Sequence, residues 1–123
     1  MSASRLRIAL VIHCNHANEI DTSVTNALQQ LKSADVILLN QSVLLHGIND
    51  DAKSLCELGH RLFEAGVLPY YLHQLDAVQG AAHFAVSDTR AHRLMDEIRS
   101  LLPGYLVPRL VRESPGESAK TPL

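Results

Sequence analysis

Cysteine is scarce in this chain of 123 residues, with two in all, Cys14 and Cys56. They fall on different expected elements at no metal-ligand spacing, so a disulfide framework is excluded and reduced, intracellular thiols are the expectation. A surplus of positive charge is also lacking: eleven Lys and Arg stand against thirteen Asp and Glu, a formal charge of -2. No basic field exists to attract nucleic acid or an anionic membrane. No apolar stretch approaches the roughly 18 residues of a membrane span, and the first residues, Met1 to Arg5, lead into an apolar run without a signal-peptide cleavage pattern. The cytoplasm is the expected compartment. Glycine-rich phosphate loops of the Walker or Rossmann kind are missing, as is a Gly-x-Ser-x-Gly elbow, and Cys14 carries no nucleophile signature. Five histidines, His13, His16, His60, His73 and His83, attract attention as metal ligands, but no close pair has a third ligand at fixed spacing, so no metal site is expected.

What the chain has is a rhythm. Leu6 to Ile12 is a nearly continuous aliphatic run, the composition of a strand covered on both faces, and it argues for a parallel sheet. Asp21 can cap a helix whose Val24, Leu28 and Leu31 share one face. Val36 to Leu39 forms a second strand, after which Asn40 and Gln41 break the apolar run. Asp50 or Asp51 caps a helix through Leu55, Leu58 and Leu62, with Gly66 as its stop. Leu68 to Leu72 makes a third strand. Ser87 caps a third helix bearing Leu94, Ile98 and Leu101, Gly104 ends it, and Tyr105 to Val111 is a fourth run that Pro108 confines to an edge or an irregular strand. Strands recurring at roughly 30 residues match βαβ units, so the fold class is α/β. A doubly wound sheet and a barrel share that rhythm, and a barrel needs more units than these to close. From Arg112 onward periodicity is lost, dividing the chain into an α/β body, residues 1–111, and a loop or tail, residues 112–123.

Ligands of parallel α/β folds sit at the strand C-termini, and the polar residues collect there: His13, Asn15 and His16 after the first strand, Asn40 and Gln41 after the second, His73, Gln74 and Asp76 after the third, Glu113 after the fourth. Each alone reads as a hydrogen-bonded structural group or a solvated carboxylate. Lys120, in a polar tail, reads alone as part of a frayed terminus. Their convergence makes the case for a site.

Several ordered blocks carry a more specific signal: His13-Cys14-Asn15-His16-Ala17-Asn18-Glu19, Leu39-Asn40-Gln41-Ser42-Val43-Leu44-Leu45, Gly47-Ile48-Asn49-Asp50, Pro69-Tyr70-Tyr71-Leu72-His73-Gln74-Leu75-Asp76, Gly80-Ala81-Ala82-His83-Phe84 and Gly104-Tyr105-Leu106-Val107-Pro108. In this frame the chain resembles the lysine 2,3-aminomutase family from about Ile8 to Leu123. It is most similar to the branch that makes (R)-β-lysine for modifying elongation factor P, through Val78-Gln79-Gly80-Ala81-Ala82-His83-Phe84 and the ending Ser118-Ala119-Lys120-Thr121-Pro122-Leu123. The resemblance implies the C-terminal half of a partial (β/α)6 barrel. Its N-terminal half, absent here, carries the Cys-x-x-x-Cys-x-x-Cys ligands of a [4Fe–4S] cluster, which Cys14 and Cys56 do not match.

The resemblance also implies radical S-adenosylmethionine chemistry on L-lysine, with pyridoxal phosphate as the group that lets the amine move from Cα to Cβ. Lys120 matches the lysine that holds pyridoxal phosphate. Asp76 matches the first of two carboxylates that grip the far ammonium of the substrate, and Glu113 falls at the second, where an aspartate is usual in the family. Gly116-Glu117-Ser118-Ala119 stands where the family has a glycine-rich stretch. His13 and Gln41 match strand-end positions that seat S-adenosylmethionine. The expectations are an isomerase as parent, an isolated chain without turnover, and a homodimer or self-association through exposed sheet edges. The competing reading is a stand-alone α/β ligand-binding module or a decayed remnant without catalysis.

Overall fold

A computed structural model describes residues 8–75, 82–113 and 120–122. The elements run β1 (Ile8–Ile12), α1 (Thr22–Ser33), β2 (Val36–Leu44), α2 (Ala52–Glu64), β3 (Leu68–Gln74), α3 (Asp88–Leu101), β4 (Arg109–Glu113) and β5 (Lys120–Pro122). Each helix begins where a short acceptor side chain satisfies an N–H that the helix itself leaves unpaired: Asp21 accepts from Val24, Asp51 from Ser54 and Ser87 from Arg90. Asp50 is not the second cap, because it accepts from the Gly47 N–H and pairs with His46. Gly66 follows the end of α2 at φ +82°, a left-handed conformation in which a Cβ would also sit 3.3 Å from Lys32 Cδ.

The sheet order is β1-β2-β3-β4-β5, with β1 to β4 parallel and β5 antiparallel to β4. A doubly wound sheet reverses its strand order partway along. Here every crossover advances in one direction, and with right-handed connections all three helices stack on one face. Burial shows it: Leu38, Asn40, Ser42 and Leu44 of β2 point under the helices, while alternate residues are half-buried or exposed. The core divides into an apolar cluster built on Leu28, Leu38, Leu58 and Leu62 and a larger one on Leu44, Leu55, Leu72, Leu94, Met95 and Ile98.

Tertiary structure moves several boundaries. β2 runs on through Asn40 and Gln41 to Leu44, and β3 through His73 to Gln74, because parallel neighbours satisfy their main chains whatever the side chains. Between Asn40 and Gln41 the register jumps from Pro69 to Tyr71, a bulge that inserts Tyr70. α3 stops at Leu101, and the extended Leu102 takes the core place expected of Leu101: Leu102 is 6% exposed and Leu101 63%. Gly104 opens a 3-10 turn, Gly104–Leu106, so the fourth strand starts only after Pro108. The segment expected to be a loop or tail opens with Arg112 and Glu113 in β4 and returns as β5. Among the described residues no helix is long and apolar enough to cross a membrane.

Candidate functional site at the strand C-termini

The end of β1 is fastened to β2 by side chains. Asn40 accepts from the Cys14 N–H at 2.9 Å and donates to the Cys14 carbonyl at 3.1 Å and to Ser42 Oγ at 2.9 Å, while the Ser42 hydroxyl donates to the same carbonyl at 2.8 Å. Asn15 accepts from the Val43 N–H at 2.9 Å. Asn49, fully buried in the turn after β2, accepts from the Leu45 N–H at 2.8 Å and donates to the carbonyls of Asn15 and Val43 at 2.8 and 2.9 Å. Glu19 completes the bracket by accepting from the N–H groups of Asn15 and His16 at 2.7 and 2.9 Å.

This network makes Asn40 the structural amide its residue type suggested, and gives His16 the same kind of work: its Nδ1 accepts from the Asn18 N–H at 3.1 Å. Burial, with the Glu19 charge adding to it, pushes the Cys14 thiol up from its ordinary value, and burial does the same for Cys56. Both are therefore poor thiolates near neutral pH. Among the described residues no three His, Cys, Asp or Glu side chains come together in a way that could hold a metal ion.

Gln41 behaves differently from Asn40. It lies on the sheet face opposite the helices, where its Oε1 is 3.2 Å from His73 Nε2, and the His73 ring meets Tyr71 edge-on at 6.0 Å. The bulge at Tyr70 is what brings this about, since it sets Tyr71 opposite Gln41 and His73 opposite Val43. His13 is exposed and follows Ile12, whose register partner Asn40 directly precedes Gln41, so His13, just past β1, and Gln41, within β2, lie at one level of the sheet. His73 was expected among the polar residues at the strand ends but was given no role, and Tyr71 and Asn49 were not singled out as site residues from sequence. The alternation of β3 offered the signal for Tyr71 and His73, but only the bulge fixes which face they share.

At the far side of the sheet, Gln74 donates to the carbonyl of Val86 and, at 3.0 Å, to Asp88 Oδ1, and Arg112 pairs with Asp88. With Leu75, Ala85 and Ser87 these residues line a cavity of about 360 Å³. A larger cavity of about 530 Å³ lies away from the strand ends, on the flank of α3 beside His92, Met95, Arg99 and Arg109. Glu113 ends β4, and the main chain of Lys120 pairs with it in register, so the two positions face each other across the β4–β5 ladder. Asp76 lies outside the described residues.

Sequential parallel strands with interleaved helices make this an α/β protein, and in parallel α/β folds ligands sit at the strand C-termini, where the polar residues described above collect. No protein-family model matches the chain. Curated proteins do. It is 57% identical over 120 residues to the L-lysine 2,3-aminomutase of Escherichia coli (strain K12), a match covering 98% of this chain and 35% of that protein. With the L-lysine 2,3-aminomutase of Haemophilus influenzae it shares 52% over 121 residues, 98% of this chain and 36% of the other. With that of Clostridium subterminale it shares 40% over 111 residues, 90% and 27%. The chain is thus a homologue, over nearly its whole length, of lysine 2,3-aminomutases, and spans only 27–36% of the length of these three relatives.

Proposed function

We propose that this chain is the part of an L-lysine 2,3-aminomutase-type isomerase that supplies the cofactor lysine and the carboxylates for the substrate's distal ammonium. The observation that carries the reading is the 52–57% identity to curated aminomutases over 98% of the chain, supported by a main-chain register that sets Lys120 opposite Glu113. Lys120 is the amine that takes up the aldehyde of pyridoxal phosphate, a role suited to lysine because its neutral form is a nucleophile toward carbonyls. Asp76 and Glu113 bind the substrate's far ammonium, and two acids at that end repel a distal carboxylate and so select lysine over glutamate. His13 and Gln41 seat S-adenosylmethionine at the neighbouring strand ends, with Gln41 held by His73.

Bound pyridoxal phosphate would supply the π-system over which the migrating nitrogen's electrons spread, and S-adenosylmethionine the hydrogen-abstracting radical. The described residues do not fit a [4Fe–4S] cluster: no three-ligand group exists and both thiols are pushed up. The cluster belongs to residues outside this chain, and the chain alone turns over no lysine. We place the protein in the cytoplasm and its product, β-lysine, upstream of elongation factor P modification. Borohydride reduction in the presence of pyridoxal phosphate, followed by peptide mapping, tests the assignment on this chain combined with a cluster-bearing aminomutase segment. A label on Lys120 that Lys120→Arg abolishes is expected. No label there refutes the reading.

A further inference from the structure

The helices do not cover the sheet to its far edge. α1 packs on β2, and α2 packs on β3 and on α3. β4 is followed, among the described residues, by β5 and by no helix. The outer flank of α3 and the helix side of β4 are therefore left without a neighbour, and the cavity of about 530 Å³ opens there. Small-molecule sites have volumes of about 300–1,000 Å³ and combine an apolar lining with a few polar groups.

The floor of this cavity is apolar and fixed: Met95, Leu102 and Leu110 are buried and belong to the larger core cluster. Its rim is cationic. Arg99 comes from the last turn of α3, Arg109 opens β4, and His92 stands about two turns before Arg99. No Asp or Glu lines it among the described residues. Arg109 and His92 make no hydrogen bond or ion pair among those residues, and Arg99 holds only Asp96, through Nη1 at 2.9 Å. The Asp96 side chain is itself 79% exposed, and a pair that open to water contributes little. A guanidinium carries five N–H donors, so most of the capacity of Arg99 and all of that of Arg109 is available to a ligand.

We propose that the cavity between α3 and β4 is a second binding site, for a small organic acid whose carboxylate is held by Arg99 and Arg109 and whose apolar body rests on Met95, Leu102 and Leu110. The planar fork of a guanidinium matches the two oxygens of a carboxylate. A phosphate dianion calls for the N–H groups of a helix start, whereas the C-terminal turns of α3 offer carbonyls and a partial negative charge. The site is distinct from the strand C-termini: Arg109 begins β4 and Glu113 ends it, about 13 Å apart at 3.3 Å per residue. It does not depend on the aminomutase reading.

The test is an amide NMR titration of the full chain with 3-phenylpropionate, which joins a carboxylate to an apolar ring. Saturable shifts are expected on the amides of Met95, Leu102, Gly104 and Leu110, with a dissociation constant of about 1 mM or below. The head alone, as acetate, and the body alone, as 3-phenyl-1-propanol, should each bind at least about tenfold more weakly. Arg99→Gln and Arg109→Gln should each weaken 3-phenylpropionate on the order of tenfold, whereas Arg93→Gln, on the same helix but outside the cavity, should leave it unchanged. All three arginines are at exposed positions, and urea midpoints equal to the parent's confirm that the variants fold. Absence of saturable shifts, shifts gathered at the strand C-termini instead, an alcohol that binds as well as the acid, or arginine variants that bind like the parent overturns the proposal. Lys120 labelling reports on the other site and stands or falls separately.

Discussion

Replacing Asn49 with alanine is the sharpest perturbation of the site's framework. Asn49 is 0% exposed and makes three hydrogen bonds, from the Leu45 N–H and to the carbonyls of Asn15 and Val43. Each neutral hydrogen bond contributes about 1 kcal/mol net, and a buried N–H left without an acceptor costs about that or more. Asn49→Ala should therefore destabilise by about 3 kcal/mol, a large share of the roughly 5–15 kcal/mol that holds a domain of this size. With a urea slope of about 1.5 kcal/mol/M, the unfolding midpoint falls by about 2 M. Asn49→Asp separates hydrogen bonding from volume: its carboxylate can still accept from Leu45 but meets two carbonyl oxygens to which it cannot donate. It should be at least as damaging as alanine at neutral pH. A midpoint shift below about 0.5 M for Asn49→Ala, or an aspartate variant near the parent's stability, would refute the view that this amide carries the junction of β1 and β2.

Leu62, with no exposed surface in the cluster between α1 and α2, should cost about 3 kcal/mol when cut to alanine, read as a fall in the urea midpoint without a change in slope. Cys14 should alkylate slowly near neutrality, with a rate that keeps rising beyond about pH 8.5, the usual thiol midpoint; a plateau below that pH contradicts its burial beside Glu19. The linked stability has a definite sign: with the folded pKa raised, the contribution is complete below the unfolded value and is lost as pH rises through the folded one. Removal of the Lys120 amine by Lys120→Arg abolishes borohydride trapping at that position, read by peptide mapping.

Legibility from sequence followed the range of the interaction concerned. Helix starts at Asp21 and Ser87, the stop at Gly66 and the alternation of strands with helices were plain because caps, left-handed glycines and side-chain periodicity act within a turn or two of the chain. The choice between Asp50 and Asp51 was not, since it depends on what Gly47 and His46 offer Asp50. His13 and Gln41 were named from resemblance; a parallel register places them at one level, but Gln41 lies within β2 rather than at its end. His73, 32 residues from Gln41 in the chain, became its partner only through the bulge that inserts Tyr70.

By itself the sequence determined the fold class, the helix caps at Asp21 and Ser87, the absence of metal-ligand spacing and the kinship with aminomutases, all of which reside in local chemistry or in residue order. Tertiary structure alone decided the sequential strand order, the extension of β2 and β3 through polar residues, and the pairing that turned Lys120–Pro122 into a strand beside Glu113. The reason is that main-chain hydrogen bonds between strands carry no side-chain signature: a Lys-Thr-Pro segment becomes β structure only when another strand's N–H and C=O groups stand opposite it.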